Sequence, residues 1–463
     1  MKNPSPTCLL LLLCCGVFLS CVAAQQQPIK IIPANPKLYE LYEGNYRLAD
    51  DRFISLGAFS ENGDRLTFYD SKTRRVGVLY DLSDTDFVSG IPRGNDSIEQ
   101  TDLRVTFSRD GRGEVTGLVW REGNIPAITA QKVSPHRNEE IVFQNGDVTL
   151  HGTLTLPATE GRHPAVLFLQ GSGPARRPYG MWPYFLARYG IATLVYDKRG
   201  AGASTGNWQT ASFGDLAGDA LAAVNLLRKH PSINNQQIGL WGNSNSGWVV
   251  PIVAARSKDV AFVISRVGST LPPHENILYE IENDARQRGF TEREVEQAVA
   301  LRRKYHQAIL TNTGWDQLRA EVERSRNERW FGAARMGGFL TLQIPPDAAT
   351  LTALRNTFVF DPMPFWERVT CPVLALYGEM DMNVPTVRTM PMLDAALKRA
   401  GNKDYTITVL PNANHGLAEV SAPSSSEPPR VRRYASGYMD GIADWLLKRL
   451  SVNSRPSRRK PIS

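Results

Sequence analysis

Apolar and polar positions change rhythm three times along the chain. From residue 39 to 133 the runs are short and strand-like, at 53–56, 65–69, 75–80, 103–107 and 114–120. Glu61-Asn62-Gly63-Asp64 and Arg109-Asp110-Gly111-Arg112-Gly113 stand between them and supply the positive-φ positions that tight hairpins need. The pattern predicts a small antiparallel β domain, or half-barrel, over residues 37–133. It has no His, no Cys and no cluster of catalytic carboxylates, so a structural or substrate-shaping role is expected of it.

From residue 138 the rhythm lengthens. Strand patterns at 140–143 and 149–156 lead to Pro164-Ala165-Val166-Leu167-Phe168-Leu169, a continuous apolar run of the kind buried on both faces of a parallel sheet. Strand signals at 191–196, 238–241 and 260–264 then alternate with helical spacing at 215–230 and 247–255. This alternation predicts a doubly wound α/β sheet. Residues 272–360 interrupt it with charged helix formers, as at 292–307 and 315–330, and no strand runs. They read as a helical insertion packed on the sheet, serving as a cap over its carboxyl edge. Strands at 371–377 and 405–410 and a last helix over 435–450 complete a catalytic domain spanning 138–450.

Composition sharpens the boundaries. The chain has 463 residues, 42% of them hydrophobic and 21% charged, which excludes a wholly disordered or collagenous protein. Its net charge is +7. Lys2, Lys448, Arg449, Arg455, Arg458, Arg459 and Lys460 account for all seven, because no acid occurs among residues 447–463. The remainder is near neutral, so the count supports no nucleic-acid partner. Residues 451–463, rich in Pro, Ser and Arg, read as a basic disordered tail that offers weak contact with anionic membrane surfaces. Four of the five cysteines, Cys8, Cys14, Cys15 and Cys21, fall within residues 1–24. That segment, with Lys2, an apolar run from 9 to 19 and Val22-Ala23-Ala24, reads as a signal peptide. An exported protein, periplasmic or secreted, is expected; lipidation at Cys21 is the alternative. Only Cys371 remains in the body, so no intrachain disulfide survives removal of the leader.

The strongest chemical signal is Trp241-Gly242-Asn243-Ser244-Asn245-Ser246-Gly247, where a strand pattern runs into a tight turn followed by a helix. Such an elbow presents a central Ser at the sheet edge, with small residues two before and two after it. Ser244 is the expected nucleophile. Taking Ser246 instead would put Trp248 at a small-residue position. The expected chain order is Ser, acid, His, each after a strand. Asp381 lies in Gly378-Glu379-Met380-Asp381 and His415 in Asn414-His415-Gly416, both directly after predicted strands. Glu379 is the rival acid. Two backbone N–H groups should receive the developing oxyanion, from Asn245 after the nucleophile and from Ser172 in Gln170-Gly171-Ser172-Gly173. No spacing suggests a metal or another cofactor.

These motifs, with Tyr196-Asp197-Lys198-Arg199-Gly200-Ala201-Gly202-Ala203-Ser204, resemble the α/β-hydrolase superfamily, and within it exported hydrolases of the dienelactone-hydrolase-like and acyl-esterase type. The resemblance covers residues 138–450. Gln170 and Asn243 stand where the family often has His, and Ser246 where it has Gly. The resemblance implies a structural role for Arg199 and a serine hydrolase cleaving small carboxylic esters through an acyl-enzyme. Two alternatives stand beside it: a serine peptidase of the same fold, and a binding module that has lost catalysis. Trp182, Trp208, Trp248 and Trp330 are candidate substrate-pocket walls.

Overall fold

The computed structural model describes residues 28–336, 344–422 and 432–450. Residues 1–27, which include the expected signal peptide and Cys21, and the expected tail 451–463 lie outside the described residues. Within them, no helix is long and apolar enough to cross a membrane.

The catalytic region is built on eight strands: β1 (His136–Asn145), β2 (Val148–Pro157), β3 (His163–Leu169), β4 (Ala192–Tyr196), β5 (Ile233–Asn243), β6 (Phe262–Arg266), β7 (Val373–Gly378) and β8 (Tyr405–Leu410). Their order in the sheet is β1-β2-β4-β3-β5-β6-β7-β8. β2 runs antiparallel to β1 and β4, and the other neighbours are parallel. Every residue of β3 and β7 is buried, as their unbroken apolar runs require of central strands covered on both faces. On one face lie the helices Phe213–Lys229, Val250–Arg256 and Thr386–Arg399; on the other lie Trp182–Ala187 and Tyr438–Arg449. Phe213–Lys229 begins at a reciprocal cap in which Ser212 Oγ accepts from the Asp215 N–H at 3.1 Å and Asp215 accepts from the Ser212 N–H at 2.8 Å. Arg449 pairs with Asp404, so part of the basic C-terminal charge is neutralised within the fold.

The insertion is helical where described, with Pro273–Gln287, Glu292–Thr311, Trp315–Ser325 and Ala348–Phe358. It has its own apolar core around Ile281, Leu301, Ile309, Leu318 and Trp330. Its first helix grips the loop after β7: Tyr279 Oη donates to the Asp381 carbonyl at 3.1 Å and Asn283 Nδ2 to the Met382 carbonyl at 3.1 Å.

The N-terminal strands form an antiparallel sheet over a core of Tyr39, Tyr42, Phe68, Phe87, Phe107 and Trp120. Periodicity passes over Ile29–Lys30, Gly44–Ala49, Asp86–Arg93 and Ile128–Val133 in this sheet. In Gly44–Ala49 the burial runs in a block at one end instead of alternating, which hides the period of two. The sheet also takes in Arg432–Arg433 from the far end of the chain, paired with Arg75–Val78. This layer is joined tightly to the catalytic sheet. The Gly180 N–H donates to the Ala58 carbonyl at 2.7 Å, the Ser60 N–H to the Pro178 carbonyl at 3.0 Å, and Asn45 Nδ2 to the Tyr184 carbonyl at 2.8 Å.

Candidate active site

β5 ends at Asn243, and Ser244 follows with φ of 50°, a left-handed conformation that is strained for a residue with a Cβ. A tight turn over Ser244–Trp248 then feeds Val250–Arg256. Space explains the glycines around it. A Cβ on Gly242 would lie 2.5 Å from Val250 Cγ1, and one on Gly247 would lie 2.4 Å from Gly268 Cα. Ser246 is buried and its hydroxyl donates to the Gln170 carbonyl. It therefore ties the elbow to the loop after β3 and does not face the imidazole.

Ser244 Oγ lies 2.9 Å from His415 Nε2, and His415 Nδ1 lies 3.0 and 2.9 Å from the two carboxylate oxygens of Asp381. The Asp381 side chain is fully buried. Its Oδ1 also accepts the N–H groups of Asn383 at 2.8 Å and Val384 at 3.0 Å, which fix the orientation of the carboxylate behind the imidazole. Glu379, the rival acid, is exposed and accepts from the Asn412 N–H at 2.9 Å, a bond that braces the β8 loop. The β7 and β8 loops meet closely: a Cβ on Gly378 would come 2.3 Å from the Ala413 carbonyl oxygen.

The loop after β3 packs against the elbow, where a Cβ on Gly171 would lie 3.8 Å from Ser244 Cβ. Ser172 and Asn245 line one cavity. Two cations that sequence reasoning did not single out support this arrangement. Lys198 Nζ donates to the carbonyls of Gly171 and, at 2.9 Å, Gly173, and burial pushes its ammonium down to about 8. Arg266, at the end of β6, donates to Asn243 Oδ1, to Tyr438 Oη at 2.5 Å and to the Gly416 carbonyl at 2.5 Å. It thus joins the residue before Ser244 to the residue after His415. The sequence signal for Lys198 was its place between Asp197 and Arg199; for Arg266 it was only the end of a strand. Arg199 makes a bidentate pair with Asp219, both bonds 2.7 Å, and is structural.

Two cavities flank the pair Ser244 and His415. One, of about 430 Å³, lies beside His415 between the two sheets and is lined by Glu61, Tyr179, Trp182, Arg266 and Tyr434 among others. The second, of about 280 Å³, opens beside Ser172 and Asn245 under the insertion and includes Trp208, Phe213, Arg302 and Phe358. Trp182 and Trp208 are thus walls. Trp248 bonds the Leu271 carbonyl at 2.8 Å and packs on Phe213, and Trp330 sits in the insertion core.

A strained Ser on a strand-to-helix elbow, an imidazole within hydrogen-bond reach and a buried carboxylate behind it can together perform acyl transfer. With the strand order given above they define an α/β-hydrolase. The family model described as X-Pro dipeptidyl-peptidase (S15 family) matches residues 145–416, more than half of the chain, and the chain belongs to that family. Among individual relatives, esterase EstD of Thermotoga maritima is 24% identical over 366 residues, which are 73% of this chain and 77% of the esterase. Dipeptidyl-peptidase 5 of Porphyromonas gingivalis is 22% identical over 267 residues, 56% of this chain and 31% of that protein. The solved structure of acetyl xylan esterase 1 from Thermoanaerobacterium has a TM-score of 0.40 at 15% identity, over 76% of this chain and 89% of that one.

Proposed function

We propose that this hydrolase cleaves carboxylic esters through an acyl-enzyme, with Ser244 as nucleophile, His415 as base and then acid, and Asp381 orienting the imidazole. The observation that carries the reading is the 2.9 Å approach of His415 Nε2 to a Ser244 Oγ held at positive φ. In the first step His415 takes the Ser244 proton as Oγ bonds to the acyl carbon. The carbonyl oxygen becomes an oxyanion facing the N–H groups of Ser172 and Asn245. As the bond to the leaving oxygen breaks, His415 delivers the proton to it and the alcohol departs. Water, deprotonated by the same imidazole, then releases the acid. Because the leaving oxygen must reach Nε2, the alcohol belongs on the side of the cavity beside His415, and the acyl group belongs in the cavity beside Ser172 and Asn245.

Similarity to an esterase over most of both chains supports ester chemistry. The family description and the likeness to a dipeptidyl-peptidase favour the second reading, a peptidase using the same residues. Short p-nitrophenyl esters are expected to be turned over and aminoacyl anilides not; anilide turnover without ester turnover would establish the peptidase. A fluorophosphonate probe should label the wild type and the Ser246→Ala variant but not Ser244→Ala, whose kcat should fall about 10⁴-fold or more. An unlabelled wild type would mean a binding module. Export belongs to the same proposal: the mature protein is expected to begin at Gln25, and an intact Met1 on the purified native chain would contradict it.

A further inference from the structure

The cavity beside Ser172 and Asn245 has an unusual electrostatic make-up. Its walls include the apolar Trp208, Phe213, Ile277, Leu354 and Phe358, and among the described residues no Asp or Glu lines it. It nevertheless holds two buried cations, Lys198 at 8% and Arg302 at 7% exposure. Neither has a carboxylate within salt-bridge distance among the described residues. Lys198 is engaged with the carbonyls of the loop after β3. Arg302, on the insertion helix Glu292–Thr311, donates Nε to His306 Nε2 at 2.9 Å and Nη1 to the Arg335 carbonyl at 2.6 Å. Both acceptors are neutral, since burial and then the Arg302 charge push the His306 imidazole down to about 3. The nearby carboxylate of Glu280 is taken by Arg335 at 2.7 Å. Among the described residues the bonds of Arg302 run from Nε and Nη1 and none from Nη2, and Arg302 lines the cavity.

A buried guanidinium with no carboxylate paired to it is destabilising, and a ligand anion offsets that cost. We infer that this cavity takes an acyl group with an apolar body ending in a carboxylate, which pairs with Arg302 while the scissile carbonyl lies at Ser172 and Asn245. The inference rests on the proposed ester chemistry and makes the preferred substrates monoesters of dicarboxylic acids. Arg302 sets specificity, and its planar fork suits a carboxylate better than an ammonium would.

The test measures binding to the full-length Ser244→Ala protein, which cannot turn the ligands over. Monomethyl adipate should bind at least tenfold more tightly than uncharged dimethyl adipate of the same body. The added Arg302→Met change should bring that ratio to about one, with Arg302→Lys recovering part of it. Equal binding of the two esters to the Ser244→Ala protein would overturn the inference without any Arg302 variant. So would a preference that survives Arg302→Met in a protein with native circular dichroism. Failure of the ester reading is seen separately, as wild-type protein that hydrolyses neither ester, and it leaves the binding ratio measurable.

Discussion

At the residue scale the chain departs from the family pattern at three positions that the structure accounts for. Ser246 replaces a glycine, and its hydroxyl holds the Gln170 carbonyl. Gln170 in turn donates Nε2 to the Tyr196 carbonyl at 3.2 Å. Asn243 gives Arg266 an acceptor that ties the elbow to the His415 loop. These side chains support the loops on either side of Ser244. The Ser246→Ala variant is therefore expected to keep phosphonate labelling at Ser244 yet lose about tenfold in kcat, the worth of one buried hydrogen bond of about 1.4 kcal/mol. An unchanged kcat with the label retained would show that the tether does not align the oxyanion donors.

At the scale of elements, strand ends and loop contacts set the site. β5, β7 and β8 bring Ser244, Asp381 and His415 to one edge, and the sequence carried a strand signal for each, at 238–241, 371–377 and 405–410. Close backbone contacts were not visible in it. Gly247 meets Gly268, a partner 21 positions away, at a distance no Cβ tolerates. Gly247→Ala should accordingly cost about 1–3 kcal/mol of stability, as overpacking does, and lower the Tm measured by calorimetry. The insertion was legible as helices, but its hold on the Asp381 loop through Tyr279 and Asn283 was not, because those polar side chains look like any exposed helix face.

At the scale of the whole molecule the β layer and the catalytic sheet behave as one structure. Glu43 lies buried between them, accepting from the Ala58 N–H at 2.9 Å and from the Tyr184 hydroxyl. Burial pushes its carboxyl up to about 7, against those two bonds. A raised folded-state value means that the protonated form is favoured in the fold. The stability gained from it is complete below about pH 4.5 and is lost as pH rises through about 7, by up to about 3 kcal/mol. Glu43→Gln should flatten the fall in Tm between pH 5 and pH 8 relative to wild type, and a parallel pair of curves would refute this. The shared contacts also predict a single calorimetric transition for the full chain, whereas two separated transitions would contradict the coupling.

The sequence alone determined the α/β framework, because buried strands and amphipathic helices must write their periods into the chain. It also carried the Ser, acid and His motifs, because an elbow needs small residues at fixed spacing and loops follow strands in a fixed order. Tertiary structure decided what periodicity cannot encode: which acid faces His415, how Lys198 and Arg266 brace the loops, and that residues 432–433 join a sheet built from the first third of the chain. It also set Arg302, with no carboxylate at salt-bridge distance among the described residues, in the cavity beside Ser172. Each of these depends on contacts between residues far apart in sequence, where charge, burial and distance are properties of the folded chain and of no local segment.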